Sequence, residues 1–404
     1  IKKMKKKIFI ISIGYAPIST PSDKKFVLDI VQNLSSEFDI TVWTLNDMDA
    51  HDDEKTIYFG KNNSYKFYNK NRIFHQSLGS KYKPHPLHSN IRNGLEINLS
   101  LLWYLMTHLR KKINECNPDI IHFTDSIGPI VSLIKIFFKD IPITITKATV
   151  RISKNPIYNL WVRLSLKKAD YVFTYTKICL KQLEKIGIQK EKINLLPWGV
   201  QVSNNNLSLD KKSLIRKRYN CNTDELLVVV IPRFKSYNKH VRYFDRIIRI
   251  SANVHAKFVF AIKPTRYFDS YSRIENDKIF VECGPKDFYD LLSAADIAIG
   301  HNDVQEKNKI TSTSLLPLTW MESMLRETPV YTNEVPGIRD LIIDNYTGVI
   351  YKTDDDLLTN LLKSNVKKNI ENMKINAKNL ILDKFNLDKI SGLYSDVWKN
   401  FLTR

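Results

Sequence analysis

"LLVVVIPRFKSYNKHVRYFDRIIRISANVHAKFVFAI" spans Leu226 to Ile262 and joins two apolar runs through an amphipathic segment. The runs LLVVVIP and KFVFAI are short, unbroken and rich in Val and Phe, which is typical of strands that are buried on both faces. Between them, apolar residues recur at helical spacing from Val241 to Asn253. A buried strand, a helix and a second buried strand together predict a βαβ unit of a parallel sheet.

The same alternation continues through the rest of the chain in two series. In the first series the predicted strands are Lys7–Ile13, Phe38–Leu45, Asp119–Thr124, Ile143–Ala148, Tyr171–Thr176 and Lys192–Pro197. The predicted helices between them are Lys24–Ser36, Ile97–Glu115, a helix that ends near Lys139, Pro156–Lys168 and Cys179–Ile186. In the second series, strands Lys278–Cys283, Asp296–Gly300, Pro329–Thr332 and Gly348–Lys352 alternate with helices at Asp287–Ala294, around Glu322 and at Ile338–Ile343.

The fold class follows from this order of elements. We predict an α/β protein with two tandem Rossmann-like, doubly wound domains that face a cleft, where ligands bind at the carboxyl ends of the strands. The polar stretch 201–213 is interpreted as the interdomain linker, and 48–95 is polar, basic and aromatic with little helical period. The expected domains are therefore 1–200, with a C-terminal helix 386–404 that packs back on it, and 201–385.

Composition supports this division and narrows the class of protein. A chain of 404 residues with 43% hydrophobic content is long enough for two cores of ordinary size. The four cysteines show no paired spacing, which indicates reduced thiols in a cytoplasmic protein rather than a disulfide framework. The longest apolar stretch, 127–146, is interrupted by Lys135, Lys139 and Asp140, so we predict no membrane span.

The net charge of +20 is concentrated in the first half of the chain. Within the first 200 residues, Lys and Arg outnumber Asp and Glu by about 14. A basic surface of this kind could contact nucleic acid, anionic lipid or a phosphorylated substrate. A general preference for lysine in this sequence is the alternative explanation.

Several stretches of the chain together form a recognisable series. They are IPRFKSYNKH, GPKDFYDLLSAADIAI, VPGIRDLIIDNYTGVIY and KINLLPWGV. The series resembles family-4 retaining glycosyltransferases of the GT-B fold, with their basic loop, their helix ending in Ala-Ala-Asp, their Thr-Gly strand and their entry to the linker. The end of the chain, KFNLDKISGLYSDVWKNFL, resembles the last helices of that family, which cross back onto the first domain. The resemblance covers about residues 160–404 through motifs and the N-terminal region mainly through the order of elements.

The resemblance implies a nucleotide-sugar donor site around the Glu322 helix. In the family, two glutamates flank the start of this helix; the second is associated with the nucleotide ribose and the first faces the donor sugar. Glu322 matches the second position, and Ser314 stands at the first. We expect Ser314, with Ser312 and Thr313, to take over part of the missing role through hydroxyl and N–H groups near the helix N-terminus, since Pro317 suits the first helical turn.

The basic loop implies contacts with the donor diphosphate. Arg233 and Lys239 match the family's arginine and lysine, although the spacing is one residue longer and Lys235 is the substitute for Lys239. Two cations on a pyrophosphate also stabilise it as a leaving group, so that much of the catalysis is electrostatic and needs no metal. Lys263 is a third candidate phosphate contact.

Other positions depart from the family pattern. The paired glycines that usually follow the first strand are absent from GYAPISTPSDKK, and the histidine that contacts the donor sugar is replaced by Ala148 beside Lys147. The catalytic residues therefore stay unknown, with Ser314 and Lys147 as candidates. His122 lies on a different strand, and we interpret it as a hydrogen-bonded structural histidine rather than a catalytic one.

Two functions fit this pattern. The first is an active enzyme that transfers a sugar from a nucleotide-diphosphate sugar to a glycan, glycolipid or glycoprotein, with retention, in cell-surface glycan biosynthesis. The second is a catalytically silent GT-B protein that binds a nucleotide, a glycan or a partner glycosyltransferase. A third function, nucleic-acid binding, is disfavoured because the sequence contains no recognisable motif for it. No His/Cys cluster is placed to hold a metal, so we expect neither a metal nor a cofactor beyond the donor.

The basic and aromatic residues between about Lys55 and Arg92 suggest where such an enzyme works. Tyrosine and phenylalanine alternate there with lysine and arginine, which suits the interface of an anionic leaflet. We expect a cytoplasmic protein that associates peripherally with the inner membrane face and uses a lipid-linked or glycan acceptor. A solvated insertion in a lysine-rich protein is the alternative.

Overall fold

The computed structural model describes residues 5–12, 22–44, 54–59, 63–69, 109–124, 130–147, 156–202, 207–233, 237–262, 277–283, 287–302, 316–363 and 366–403. The chain divides into two compact units. Unit 1 is Ile1–Gly199 with Leu387–Arg404, and unit 2 is Val200–Asn386. Each unit has its own mainly parallel sheet with helices between the strands, which confirms the predicted α/β fold class.

Unit 1 is built on a sheet whose described strands have the order β3-β4-β2-β1-β5-β6-β7-β8. The strands are β1 Lys6–Ser12, β2 Phe38–Thr44, β3 Glu54–Phe59, β4 Asn63–Asn69, β5 Ile120–Phe123, β6 Ile143–Lys147, β7 Tyr171–Thr174 and β8 Ile193–Leu195. The helices are α1 Ser22–Leu34, α2 Arg110–Cys116, α3 Ile130–Phe137, α4 Pro156–Lys168, α5 Lys177–Lys185 and, after unit 2, α12 Leu387–Leu402. Every residue of β5 and β6 is buried, including the polar His122, Thr144 and Thr146.

Unit 2 has the strand order β11-β10-β9-β12-β13-β14, and all its neighbouring strands are parallel. The strands are β9 Leu226–Arg233, β10 Ala256–Ile262, β11 Ile279–Cys283, β12 Ile297–Asn302, β13 Val330–Asn333 and β14 Gly348–Tyr351. The helices are α6 Leu209–Arg218, α7 Tyr237–Ala252, α8 Phe288–Ala294, α9 Leu318–Leu325, α10 Asp354–Leu362 and α11 Val366–Lys384. Leu227 to Val230 at the centre of β9 are fully buried, as the opening apolar run predicted.

An aspartate immediately before a strand caps the neighbouring strand at three places. Asp119 accepts a hydrogen bond from the backbone N–H of Lys7, Asp170 from that of Ile143, and Asp296 from that of Leu227, each at 2.8 Å. A cation pairs with each carboxylate; these are Lys6, Lys135 and Arg216. The aspartate of the Ala-Ala-Asp motif therefore belongs to the amino edge of the sheet and joins the first strand of unit 2 to β12.

The C-terminal helix α12 packs on unit 1 beside α1. Its Tyr394 and Trp398 are buried, and they hydrogen-bond Thr146 at 3.0 Å and Thr144 at 3.3 Å on β6. At the surface, Lys399 pairs with Glu37 at 2.5 Å. The return of the last helix to the first unit therefore depends on buried hydroxyl contacts as well as apolar packing.

Two local expectations were wrong, and one stretch for which no element was proposed contains strands. Residues 54–59 and 63–69, in the stretch with little helical period, form the antiparallel pair β3 and β4, and β4 pairs in parallel with β2. The end of the predicted linker is the start of α6, because Ser208 caps that helix by accepting a hydrogen bond from the N–H of Lys211. The predicted helix 338–343 is only a 3₁₀ turn, Ile338–Asp340, after Gly337 at φ 84°. Of the predicted helix 97–115, residues 97–108 lie outside the described chain.

Candidate functional site

The topology of unit 2 defines where a ligand would bind. From β9 the chain continues to β10 and β11 on one side, and then crosses back to β12, β13 and β14 on the other. β9 and β12 therefore flank the point where strand order reverses, and their last residues, Arg233 and Asn302, are paired in register. Open α/β sheets bind ligands outside the carboxyl ends of the strands at such a point.

The predicted phosphate contacts lie at and after the end of β9. Arg233 is the last residue of that strand, and Lys239 is in the first turn of α7. The two residues therefore flank the β9–α7 connection, which begins at the switch point. Lys235 and Lys263 lie outside the described residues, so their assignments stay predictions.

Helix α9 carries Glu322 and lies close against β12. Gly300 permits this approach, because a Cβ at that position would stand only 2.3 Å from the ring atom Cε2 of Trp320. Trp320 is buried, whereas Glu322, two residues further, is half-buried. The helix begins one residue later than we expected, with Pro317 as its N-cap. Ser312, Thr313 and Ser314 precede it and lie outside the described residues.

Two side chains surround Glu322, and sequence analysis missed both. The hydroxyl of Tyr289, on α8, donates a hydrogen bond to Glu322 Oε1 at 3.0 Å. The guanidinium of Arg326 lies 4.2 Å from the centre of the Tyr289 ring and donates to the Glu322 carbonyl oxygen at 3.0 Å. Arg326 is four residues after Glu322, so their spacing in the sequence already predicts that they are neighbours on one helix. Tyr289 is 33 residues from Glu322, and no sequence pattern predicts their contact.

His301 is a further residue at this edge that the sequence did not single out. It precedes Asn302 on β12, stacks on Tyr243 with ring centres 4.5 Å apart, and lies with Nδ1 3.1 Å from the Tyr351 hydroxyl. Burial lowers its pKa to about 4, so the ring is neutral at pH 7. A polar pair, His301-Asn302, directly after the apolar run IAIG is the sequence signal for it.

Unit 1 repeats the same topology around β1 and β5. The hydroxyl of Thr124, just after β5, donates to that of Ser12 at the end of β1, at 2.8 Å. Lys147 is the last residue of β6 and is 7% exposed, and the Thr174 hydroxyl donates to its carbonyl oxygen at 3.0 Å. Ala148 lies outside the described residues. The candidate Lys147 is thus at the carboxyl edge of the sheet of unit 1.

His122 lies deep in unit 1, on β5. It is 4% exposed, and its two ring nitrogens are 2.8 Å and 3.1 Å from the hydroxyls of Thr144 and Thr146. Burial lowers its pKa to about 3. Because both ring nitrogens have hydroxyl partners, these contacts fit the structural role we favoured for this histidine.

Comparison with known proteins agrees with the architecture. Residues 24–204 match the family model described as Glycosyltransferase Family 4. Over these residues the chain is similar to that family, and the chain has the GT-B glycosyltransferase fold. This match confirms the expected resemblance, and it falls on the half of the chain where that resemblance rested mainly on element order. No curated protein matches the sequence.

Solved structures match over almost the whole chain at low identity. Sucrose-phosphate synthase from Thermosynechococcus elongatus has a TM-score of 0.71 at 13% identity, with 99% of this chain and 100% of that chain covered. Anabaena HepE in complex with UDP has a TM-score of 0.69 at 12% identity, with 98% and 100% covered. The lipopolysaccharide outer core galactosyltransferase WaaB in its apo form has a TM-score of 0.63 at 13% identity, with 98% and 99% covered. At these identities the likeness establishes the GT-B fold.

The described residues contain neither a metal-binding cluster nor a membrane-spanning helix. Among them, no group of three or more His, Cys, Asp or Glu side chains could hold a metal ion. Within the same part of the chain, no helix has the length and apolar character needed to cross a bilayer.

Proposed function

We propose that this chain transfers a sugar from a nucleoside-diphosphate sugar to a glycan, glycolipid or glycoprotein acceptor, with retention, without a metal and in the biosynthesis of cell-surface glycans. The observation that carries the proposal is the switch point of unit 2, where Arg233 lies beside Asn302 and the chain then leads from β12 to the helix with Glu322. The cations Arg233 and Lys239 suit the anionic diphosphate of a nucleoside diphosphate, and the carboxylate of Glu322 suits its ribose hydroxyls.

Each group has a chemical role in this proposal. Glu322 accepts hydrogen bonds from the ribose hydroxyls, and Arg233 and Lys239 neutralise the diphosphate. The bond between the anomeric carbon and the diphosphate oxygen breaks, the acceptor hydroxyl oxygen bonds to that carbon on the same face, and its proton passes to the departing diphosphate. Cations that hold the developing negative charge lower the barrier, and no protein base is needed. Ser314 and Lys147 are the candidate catalytic residues.

Proteins of the same fold support the class of donor. Among the structural neighbours, Anabaena HepE was solved with UDP and with UDP-glucose, and the starch synthase IV catalytic domain from Arabidopsis thaliana with ADP and acarbose. We extend from these proteins to the present chain only the chemistry they share, a nucleoside diphosphate with or without its sugar.

The proposal is tested by measuring nucleotide-sugar turnover. The purified protein is incubated with UDP-, ADP- and GDP-linked sugars, and released nucleoside diphosphate is measured beside calorimetry with the bare nucleotides. Release with one donor, abolished in Glu322→Ala, is the expected result. Tight binding of a nucleotide without release from any donor would favour the silent GT-B protein instead, in which the changes at Ser314 and Ala148 have ended catalysis.

Metal independence is checked in the same assay. Because the proposed leaving-group stabilisation comes from Arg233 and Lys239, we expect a chelator such as EDTA to leave nucleotide binding and turnover unchanged. A strict requirement for Mg²⁺ or Mn²⁺, restored by adding either ion back, would contradict this part of the proposal.

We also propose that unit 1 docks on an anionic inner membrane face. Helix α4 supports this, because one exposed face carries leucines and cations at helical spacing: Leu160, Arg163, Leu164 and Lys167. The leucines are 51% and 47% exposed, so two apolar side chains lie at the surface of this helix beside its cations. Apolar residues interleaved with cations suit a headgroup interface. The side chains of the basic stretch 55–92 lie outside the described ones.

Liposome co-sedimentation distinguishes between the exposed face of α4 and the basic stretch 55–92 as the membrane-binding surface. Leu160→Asn with Leu164→Asn should reduce binding to vesicles that contain acidic lipid, and raised salt should weaken the binding of the wild type. Glutamine at Lys61, Lys66, Lys70 and Arg72 tests the basic stretch. Ile375→Asn is the matched control, since Ile375 is 62% exposed on α11 in unit 2. Wild-type protein that stays in the supernatant at low salt would rule out membrane docking.

A further inference from the structure

Glu322 is held by a pair of side chains that the proposed function does not require. Tyr289 reaches it from α8, a separate helix, and its hydroxyl donates to Oε1 at 3.0 Å. Tyr289 is 43% exposed, so this hydroxyl is not forced into the contact by burial. Arg326 covers the ring from one side at 4.2 Å and is tied back to the Glu322 carbonyl oxygen. The three residues form a closed arrangement on the surface of unit 2.

The arrangement restricts a side chain that would otherwise be mobile. A half-buried glutamate samples several rotamers, and fixing it on ligand binding has an entropic cost. A tyrosine has few torsions, and a guanidinium stacked on its ring limits them further. A carboxylate has about four lone-pair sites, and the Tyr289 hydroxyl occupies one of them. The contact therefore restricts the orientation of the carboxylate.

We propose that Tyr289, held by Arg326, is a positioning residue that orients Glu322 for the 2′ and 3′ hydroxyls of the ribose and so sets the preference of the site for ribonucleotides. This inference rests on the proposed function, because it takes Glu322 as the ribose contact. It adds a specific prediction: the Tyr289 hydroxyl contributes to binding only when the ligand carries ribose hydroxyls.

The experiment compares a nucleoside diphosphate with its 2′,3′-dideoxy analogue. Calorimetry with UDP, ADP and GDP first identifies the diphosphate that binds most tightly to the full chain. We expect the wild type to bind it about tenfold or more tightly than the analogue. In Tyr289→Phe this ratio should fall by about threefold or more, through weaker binding of the ribonucleotide alone. Arg326→Lys, which keeps the charge but loses the stacking, should lower the ratio in the same direction.

Two controls make the outcome decisive. Tyr346→Phe removes a hydroxyl from another exposed tyrosine of unit 2, 53% exposed, and should leave the ratio unchanged. In a Glu322→Ala background, Tyr289→Phe should not change the ratio of the two affinities any further. If Tyr289→Phe lowers the melting temperature or weakens both ligands equally, the contact merely joins α8 to α9 and the inference is overturned.

The design also separates this inference from the proposed function. If Glu322→Ala abolishes the preference for the ribonucleotide but Tyr289→Phe does not alter it, only the positioning role fails. If Glu322→Ala leaves the preference intact, the ribose assignment itself is wrong, and the inference falls with it.

Discussion

At the scale of single residues, the sequence singled out the candidate carboxylate Glu322 but not its surroundings. Glu322 was noticeable because an acid in an apolar run needs a polar environment. Its partner Tyr289 lies 33 positions earlier, and no local pattern indicates that the two helices bring these side chains within 3.0 Å. Long-range partners of this kind are decided by packing, which is why the site could be placed from sequence only approximately.

His122 gives a residue-scale prediction about pH. Its pKa is lowered to about 3 in the folded protein, against about 6.5 for an unfolded chain. Unfolding therefore takes up a proton between these values, so stability rises with pH across this window and falls as the solution is acidified below about pH 6.5. Between pH 7 and pH 5 this histidine should account for a loss of about 2 kcal/mol in the free energy of unfolding.

Denaturant titrations of the wild type and of His122→Gln at several pH values check this. The variant should show a shallower decline of the free energy of unfolding between pH 6.5 and pH 5, whatever its stability at pH 7. Equal slopes would mean that the imidazole is protonated inside the fold or is not buried as described.

At the scale of elements, the alternation of buried strands with helices was predictable from the sequence, whereas departures from this alternation were not. Strands β5, β6 and β9 are buried, and each was predicted from its sequence. The pair β3 and β4 was missed although aromatic residues favour strands, because the pairing of β4 with β2 joins residues distant in sequence. The first residues of helix α6 were assigned to the linker, although Ser208 is a recognisable cap for it.

The close approach of α9 to β12 gives an element-scale prediction. Gly300→Ala puts a methyl group against the Trp320 ring, so we expect a loss of about 1–3 kcal/mol in the stability of unit 2, with weaker nucleotide binding because Glu322 moves with its helix. Gly392→Ala, inside α12, is the matched control: its Cβ meets nothing within 4 Å, and it should stabilise by about 0.5–1 kcal/mol. Thermal and chemical unfolding measure both. A Gly300→Ala protein as stable as the wild type would show that α9 does not pack so closely.

At the scale of the whole molecule, the order of elements was enough to predict two doubly wound domains, and the two sheets confirm them. Strand order within each sheet could not be read from the sequence, because periodicity reports burial and not neighbours. That order is what makes Arg233 and Asn302 adjacent, and hence what turns separate motifs into a candidate site. The central claim of this account is that the edge formed there binds the diphosphate of a nucleotide.

The most direct test compares a nucleoside with its diphosphate by calorimetry in three variants. Arg233→Ala and Lys239→Ala should each weaken the diphosphate by roughly 1.5–3 kcal/mol, about tenfold to a hundredfold, and leave the nucleoside unchanged. Arg249→Ala removes the same charge from the far end of α7, where the side chain is exposed, and should change neither. Equal weakening of nucleoside and diphosphate, or the same loss in Arg249→Ala, would contradict the account.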